Sequence, residues 1–352
     1  MRGRGERLAE LVAERELDLV LVTHLVNVRY LTGFGGTNGA CVCGPDTRFF
    51  LTDFRYTERA AGEVSEWEVV TIREDWVAGI AERLQGTVGF EDDHLSVRAH
   101  GKLGDAVGDG VELTAAGGMV EKLRETKDEQ EIEAIAEAAR LADEVYEEVL
   151  AGGLAGRTEA EIARQAVAAI RERGAEPSFP PIVAGGPNGA LPHAEPGERR
   201  VEEGELVVFD MGAELDGYCS DCTRTFAAGE PAGDAREVYE LVRRAQAAAL
   251  EAIGPGDDGR EVDAVARRLI EAAGHGEHFG HGLGHGVGME VHEAPRLSSR
   301  SDDTLRPFEV VTVEPGVYVP GSYGVRIEDL VVIAEDGHRN LSGLPKELRV
   351  LG

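Results

Sequence analysis

The sequence predicts an α/β protein in two parts, and three observations carry that prediction. In the first third, short apolar strands alternate with amphipathic helices, as in a compact sheet with flanking helices. Near residue 123 the texture changes to one long helical stretch, which places the expected domain boundary between residues 1–122 and 123–352. After residue 125 the order helix, helix, strand, strand occurs twice, which reads as a pseudo-duplicated α+β half.

The opening helix runs from Arg4 to Glu14 and leads into the strand LDLVLVT. HLVNVRYLTGF, GACVCG, RFFLTDFRYTERAA, WEVVTI and GTVGFEDD complete the first domain. In the long helix, Leu123, Ile132, Ile135, Ala139, Ala142 and Val145 form the apolar stripe and acids fill the other face. Thr126 with Glu129 resembles a capping box at its start, and Thr158 with Glu161 one for EAEIARQAVAAIRERG. Asp216-Gly217 is a hairpin signal between two strands. The helices DAREVYELVRRAQAAALEAI and GREVDAVARRLIEAAG follow, then a Gly/His segment and two more strands.

Composition narrows the partners. The 352 residues are 42% hydrophobic, enough for a real core. Net charge is −30, from 66 acids against 36 bases, and Lys occurs only at Lys102, Lys122, Lys127 and Lys346. An acid-coated, Lys-poor surface argues against nucleic acid and anionic membranes, which carry the same sign. It also suits a high-salt, halophilic interior, where screening mutes self-repulsion. The N-terminus lacks the uninterrupted apolar run of a signal peptide, and no segment reaches the length of a membrane span, so a cytoplasmic protein is expected. Cys41/Cys43 and Cys219/Cys222 lack the second C-x-x-C of a four-thiolate site and read as structural, reduced thiols.

The chemistry lies in five side chains, Asp210, Asp221, His285, Glu314 and Glu328. Each interrupts an apolar, Gly-punctuated stretch: VVFDMGAELDGYCSDCTRTF, HFGHGLGHGVGMEVHEAP, VVTVEPGVYV and GVRIEDLVVI. A buried carboxylate needs a counter-charge, and Arg224 and Arg326 are too few for four acids. Two divalent ions would cancel four carboxylates, and oxygen-rich ligation favours hard or borderline ions such as Mn²⁺, with Co²⁺, Fe²⁺ or Zn²⁺ also accepted. Asp210 and Asp221, eleven residues apart, are expected to face each other across the Asp216-Gly217 hairpin. The glycines among His278, His281, His285 and His292 would let backbone pass close to a ligand. An alternative for Glu328 is a plain ion pair with Arg326 on an edge strand.

Taken together, these motifs resemble the pita-bread metallopeptidases, specifically the branch of prolidase, aminopeptidase P and creatinase. RYLTGFGGTNGA and FLTDFRYTERA look like the extra N-terminal domain of that branch. The resemblance covers nearly the whole chain and implies a creatinase/prolidase-like α/β domain followed by a pita-bread α+β catalytic domain. It implies that Asp210, Asp221, His285, Glu314 and Glu328 hold two metal ions, with Asp221 and Glu328 bridging. Glu314 is then the candidate general base, with a metal ion plus His292 or His193 stabilising the oxyanion. His281 orients the substrate, and Arg326 braces a ligand carboxylate by a bidentate contact. It further implies a homodimer and a small peptide substrate with proline after the scissile bond, an Xaa-Pro dipeptidase being favoured over aminopeptidase P. A creatinase-like C–N hydrolase and a non-catalytic binding protein on the same fold are the alternatives; both are expected to lack some of the five ligands. His24, Asn27, Arg29 and Tyr30, like Asp53 and Arg55, are read as capped turns outside the site.

Overall fold

A computed structural model describes residues 3–231 and 233–351. The chain divides into two compact units, residues 1–124 and 125–352. The first unit contains α1 (Arg4–Glu14), β1 (Leu19–Val22), α2 (Leu25–Thr32), β2 (Ala40–Gly44), β3 (Thr47–Asp53), α3 (Thr57–Glu63), β4 (Glu68–Ile72), α4 (Trp76–Ala81), β5 (Gly86–Phe90), α5 (Val97–Ala106) and β6 (Val111–Ala115), and α6 (Met119–Glu125) closes it. The strands form one mixed sheet in the order β4-β3-β2-β1-β5-β6. Its central strand β1 is buried along its whole length, which is why LDLVLVT reads as a continuous apolar run rather than an alternating one. The polar cluster after β1 serves this unit: Asn27 donates to Glu91 at 2.8 Å and accepts from Arg124 at 2.7 Å. Arg55 likewise pairs with Asp53 at 2.7 Å.

The second unit begins with α7 (Glu129–Leu150) and α8 (Glu159–Glu172). The capping box on α7 sits two residues later than Thr126 suggests. Asp128 accepts the amides of Gln130 and Glu131, and Glu131 reaches back to the Asp128 amide at 2.9 Å. The amide of Lys127 is spent on the Phe308 carbonyl, which holds the preceding residues outside the helix, and Leu123 belongs to α6 instead. On α8 the Thr158/Glu161 capping box forms as expected.

Strands β7 (Glu176–Pro177), β8 (Ile182–Gly185), β9 (Glu205–Met211), β10 (Ala213–Leu215), β11 (Tyr218–Cys219) and β12 (Cys222–Ala228) follow, then α9 (Ala235–Glu251) and α10 (Gly259–Ala272). The remaining strands are β13 (Gly284–Gly286), β14 (Glu293–Leu297), β15 (Val310–Val313), β16 (Gly316–Val319), β17 (Tyr323–Arg326), β18 (Asp329–Ala334), β19 (Gly337–Asn340) and β20 (Val350–Leu351). Two sheets dominate, β20-β12-β9-β8 and β14-β13-β15-β18-β19. Each is covered by one helix pair. Tyr146, Val149 and Ile162 of α7 and α8 pack on Val207 and Phe209, while Val242 and Ala266 of α9 and α10 pack on Val311 and Val331. This is the duplication that the twice-repeated element order predicts.

Side-chain alternation then sorts the strands. In β9, Val207, Phe209 and Met211 face α7 and α8, so Asp210 points to the other side. In β12, Cys222 and Phe226 face those helices, leaving Thr223 and Thr225 on the side of Asp210. In β15, Val311 and Val313 face α9 and α10, and Thr312 faces away.

Candidate metal centre

Asp210 at the end of β9 pairs in register with Thr223 of β12, not with Asp221. The two acids are thus diagonal neighbours across the strand pair: Asp221 precedes β12, and both line one cavity. The hairpin at Asp216-Gly217 does form, both residues having positive φ (50° and 82°), but it closes the separate short ladder β10-β11.

His285 is the middle residue of β13. The flanking glycines admit neighbouring backbone rather than a ligand. A Cβ on Gly284 would lie 2.0 Å from the Thr312 carbonyl oxygen, and one on Gly286 2.1 Å from that of Ala294. The His285 amide donates to Thr312 Oγ1 at 3.1 Å, and that hydroxyl donates to Glu314 Oε1 at 3.0 Å. His285 Nε2 lies 3.2 Å from Glu314 Oε1 and 3.7 Å from Asp221 Oδ2. Its Nδ1 sits 3.1 Å from the Gly286 carbonyl, an acceptor that fixes Nδ1 as the protonated nitrogen and leaves the Nε2 lone pair for the site.

One donor atom each from Asp221, His285 and Glu328 falls within 4.8 Å of the others, and all three residues are buried. Glu328 Oε2 accepts from Thr223 Oγ1 at 2.7 Å, whereas Glu328 Oε1 and Asp210 Oδ1 are buried with no hydrogen-bond partner. Orphaned buried oxygens of this kind call for an ion. Burial pushes the Asp221 and Glu328 carboxyls well above the ordinary carboxylate range, neighbouring acids push them further, and Asp210 moves the same way. For Glu314 burial acts upward too, but His285, His281 and Arg326 outweigh it and hold the group low. An oxygen-rich set with one imidazole and too few cations fits divalent metal.

Arg326 lies in the same pocket and is not an ion-pair partner of Glu328. Its Nη2 donates to Asp210 Oδ2 at 2.5 Å, Nε to Thr223 Oγ1 at 2.9 Å, and Nη1 to Tyr318 Oη at 2.9 Å and the Pro192 carbonyl at 3.2 Å. The grip on Asp210 is thus single rather than bidentate, because the other donors are spent elsewhere. His281 Nδ1 lies 2.8 Å from the Gly282 carbonyl and Nε2 lies 2.9 Å from Tyr318 Oη. Arg326 only donates, so the Tyr318 proton goes to His281 Nε2, and both ring nitrogens are occupied within the protein. Burial lowers the His281 pKa, consistent with a neutral ring. His292 stacks edge-on against His285 with ring centroids 4.4 Å apart, and burial lowers its pKa as well.

Asp210, Asp221, His285, Glu314, Glu328, Arg326, His193, His281 and His292 all line one cavity of about 530 Å³. Its wall adds Phe179, Pro180, Pro181, Pro192 and Pro196, an apolar rim with two histidines set into it. Sequence reasoning missed Thr223, Thr312, Tyr318 and Arg296. The threonines carried a signal, being the polar residues on the site-facing side of apolar strands. Arg296 lines the cavity, is exposed, and makes no side-chain ion pair among the described residues. The four cysteines are free and buried, and no described helix is long and apolar enough to cross a membrane.

This fold and donor set define a metal-dependent hydrolase, and the comparisons agree. Residues 133–335 match metallopeptidase family M24 and residues 4–126 match the creatinase/prolidase N-terminal domain, so the chain belongs to the M24 metallopeptidases of that two-domain architecture. An uncharacterized peptidase of Bacillus subtilis is 41% identical over 98% of this chain and 99% of its own length. Among solved structures, an Xaa-Pro dipeptidase from Bacillus anthracis superposes with a TM-score of 0.95 at 39% identity, covering 99% of each chain. An X-Pro aminopeptidase from Thermotoga maritima gives 0.91 at 35% identity, again over 99% of each.

Proposed function

We propose that the protein is a dinuclear-metal-dependent Xaa-Pro peptidase and that it prefers dipeptides. The observation that carries this reading is the convergence of Asp210, Asp221, His285, Glu314 and Glu328 on one cavity, with orphaned carboxylate oxygens on Asp210 and Glu328. Asp210, Asp221, His285, Glu314 and Glu328 would hold two divalent ions, with Asp221 and Glu328 shared and Mn²⁺ the favoured metal. Such a pair supplies an activated water and charge stabilisation at the scissile carbonyl.

The chain's own residues do the rest. Glu314 lines the cavity with the other donors and is the candidate to take the proton of the attacking water and pass it to the proline nitrogen. His292 and His193 line the cavity, where either can donate to the carbonyl oxygen as charge develops there. His281 acts through Tyr318 to hold Arg326, and Arg326 fixes one oxygen of Asp210.

Preference for dipeptides is supported by Arg296. A guanidinium on the cavity wall with no acidic partner among the described residues suits the free carboxylate of a C-terminal proline whose nitrogen forms the scissile bond. The proline-lined rim suits an apolar ring. The deciding assay is release of free proline from Xaa-Pro dipeptides after metal reconstitution at high KCl, with and without chelator, beside Xaa-Pro-Yaa peptides. Metal-dependent cleavage of dipeptides in preference is expected. Preference for the longer peptides would make the protein an aminopeptidase P, and activity indifferent to chelator would overturn the metallopeptidase reading.

A further inference from the structure

Thr223 of β12 faces the metal centre, so Arg224 after it faces the opposite side of that strand, and Asp329, directly after Glu328, opens β18 on the helix-facing side of Val331 and Ile333. Arg224 and Asp329 are 1% and 0% exposed. Arg224 Nη2 lies 2.7 Å from Asp329 Oδ1. Arg224 also donates to the main-chain carbonyl of Glu328, to that of Thr223 at 3.0 Å, and to those of Leu344 and Pro345 at 2.7 and 3.2 Å. The second oxygen of Asp329 accepts from Lys346 Nζ at 2.5 Å, Asn340 Nδ2 at 2.8 Å and Gln246 Nε2 at 3.0 Å. Leu344–Lys346 lie beyond the residues that match the M24 family.

We propose that Arg224, Asp329 and Lys346 are positioning residues of the metal centre, which aim the Glu328 carboxylate by gripping the main chain on its reverse side. The inference rests on the metal-centre reading above. The Glu328 amide donates to the Thr223 carbonyl at 3.1 Å, and the Thr223 hydroxyl donates to the Glu328 carboxylate at 2.7 Å. Arg224 therefore holds the carbonyls on both sides of that contact, and a shift of its guanidinium moves strand β12 and Glu328 together. Lys346 keeps Asp329 in place and so makes the C-terminal segment part of the centre. Contacts that orient ligating carboxylates from behind carry about 10- to 100-fold in metal affinity.

The test is Co²⁺ titration of the chelator-stripped protein, followed by its visible absorption, for the wild type and for R224K, K346M and K346R, with the Tm of each ion-free variant. R224K is expected to weaken Co²⁺ binding toward 100-fold and K346M about 10-fold, with a changed absorption band, while K346R binds like the wild type. Lys346 is 28% exposed at its side chain, so K346M keeps the question answerable if R224K does not fold. Unchanged Co²⁺ affinity and spectrum in K346M and R224K, with a lower ion-free Tm, would reduce the cluster to a structural role and overturn the proposal. If the wild type itself takes up no Co²⁺, the metal-centre reading falls, and this inference with it.

Discussion

Arg326 Nη2 donates to Asp210 Oδ2 at 2.5 Å, and the other oxygen of the same carboxylate is buried without a partner. One oxygen is anchored and one is presented. Replacing Arg326 by Gln removes the anchor and leaves the acids of the site with one cation fewer. Metal affinity, measured by titration calorimetry, is expected to fall about 10- to 100-fold. R326K keeps the charge but cannot reach Asp210, Thr223 and Tyr318 together, so it is expected to recover only part of that loss. Full recovery with Lys would show that charge alone matters.

Glu314→Gln tests the proposed general base. Thr312 Oγ1 can still donate to the amide oxygen and keep the side chain in place, and because Glu314 is also a proposed ligand the two proteins are compared at equal metal content. A kcat lower by about 10²- to 10⁴-fold is expected, with KM changed far less. A KM effect alone would assign Glu314 to substrate binding.

Arg296→Ala separates dipeptidase from aminopeptidase P. Loss of a charged contact to the substrate carboxylate, about 1.5–3 kcal/mol, should lower kcat/KM for Xaa-Pro by about 10- to 100-fold. Xaa-Pro amides, which lack that carboxylate, should be cleaved equally by both proteins. An equal loss on acid and amide substrates would remove Arg296 from carboxylate recognition.

The raised carboxyls give a signed pH dependence. Asp210, Asp221 and Glu328 keep protons in the ion-free folded state that the unfolded chain releases above about pH 4. The ion-free protein therefore loses stability as pH rises through that window, up to the raised folded values. Glu314, held at about 2 against an ordinary 4.5, works in the opposite sense, but its window lies below this one. Bound divalent ions favour the ionised acids. The Tm gap between metal-loaded and chelated protein is thus expected to widen from about pH 5 to about pH 8. A gap independent of pH would mean that these carboxyls do not ligate.

Much of this was legible beforehand. The opening helix, the Thr158 cap and the twice-repeated element order follow from local patterns that depend only on neighbouring residues. The donor residues were legible because an acid inside VVTVEPGV or VVFDMG is too costly to be accidental. The cap of α7 was misplaced because the choice between Thr126 and Asp128 depends on where the Lys127 amide finds a partner, at Phe308. Arg296 carried no signal, since an arginine after Pro295 looks like any exposed base until the cavity wall forms around it.

The candidate donors are marked in the amino-acid order alone, because burying a charge is a cost written into the residues around it. Which of their atoms stay unpaired depends on the folded chain. Arg326 and Asp210 are 116 residues apart, and Thr223 and Glu328 are 105 apart. Hydrogen bonds between such distant segments depend on how the sheets register. They choose the free oxygen of Asp210 and of Glu328, and they occupy His281 Nε2 through Tyr318.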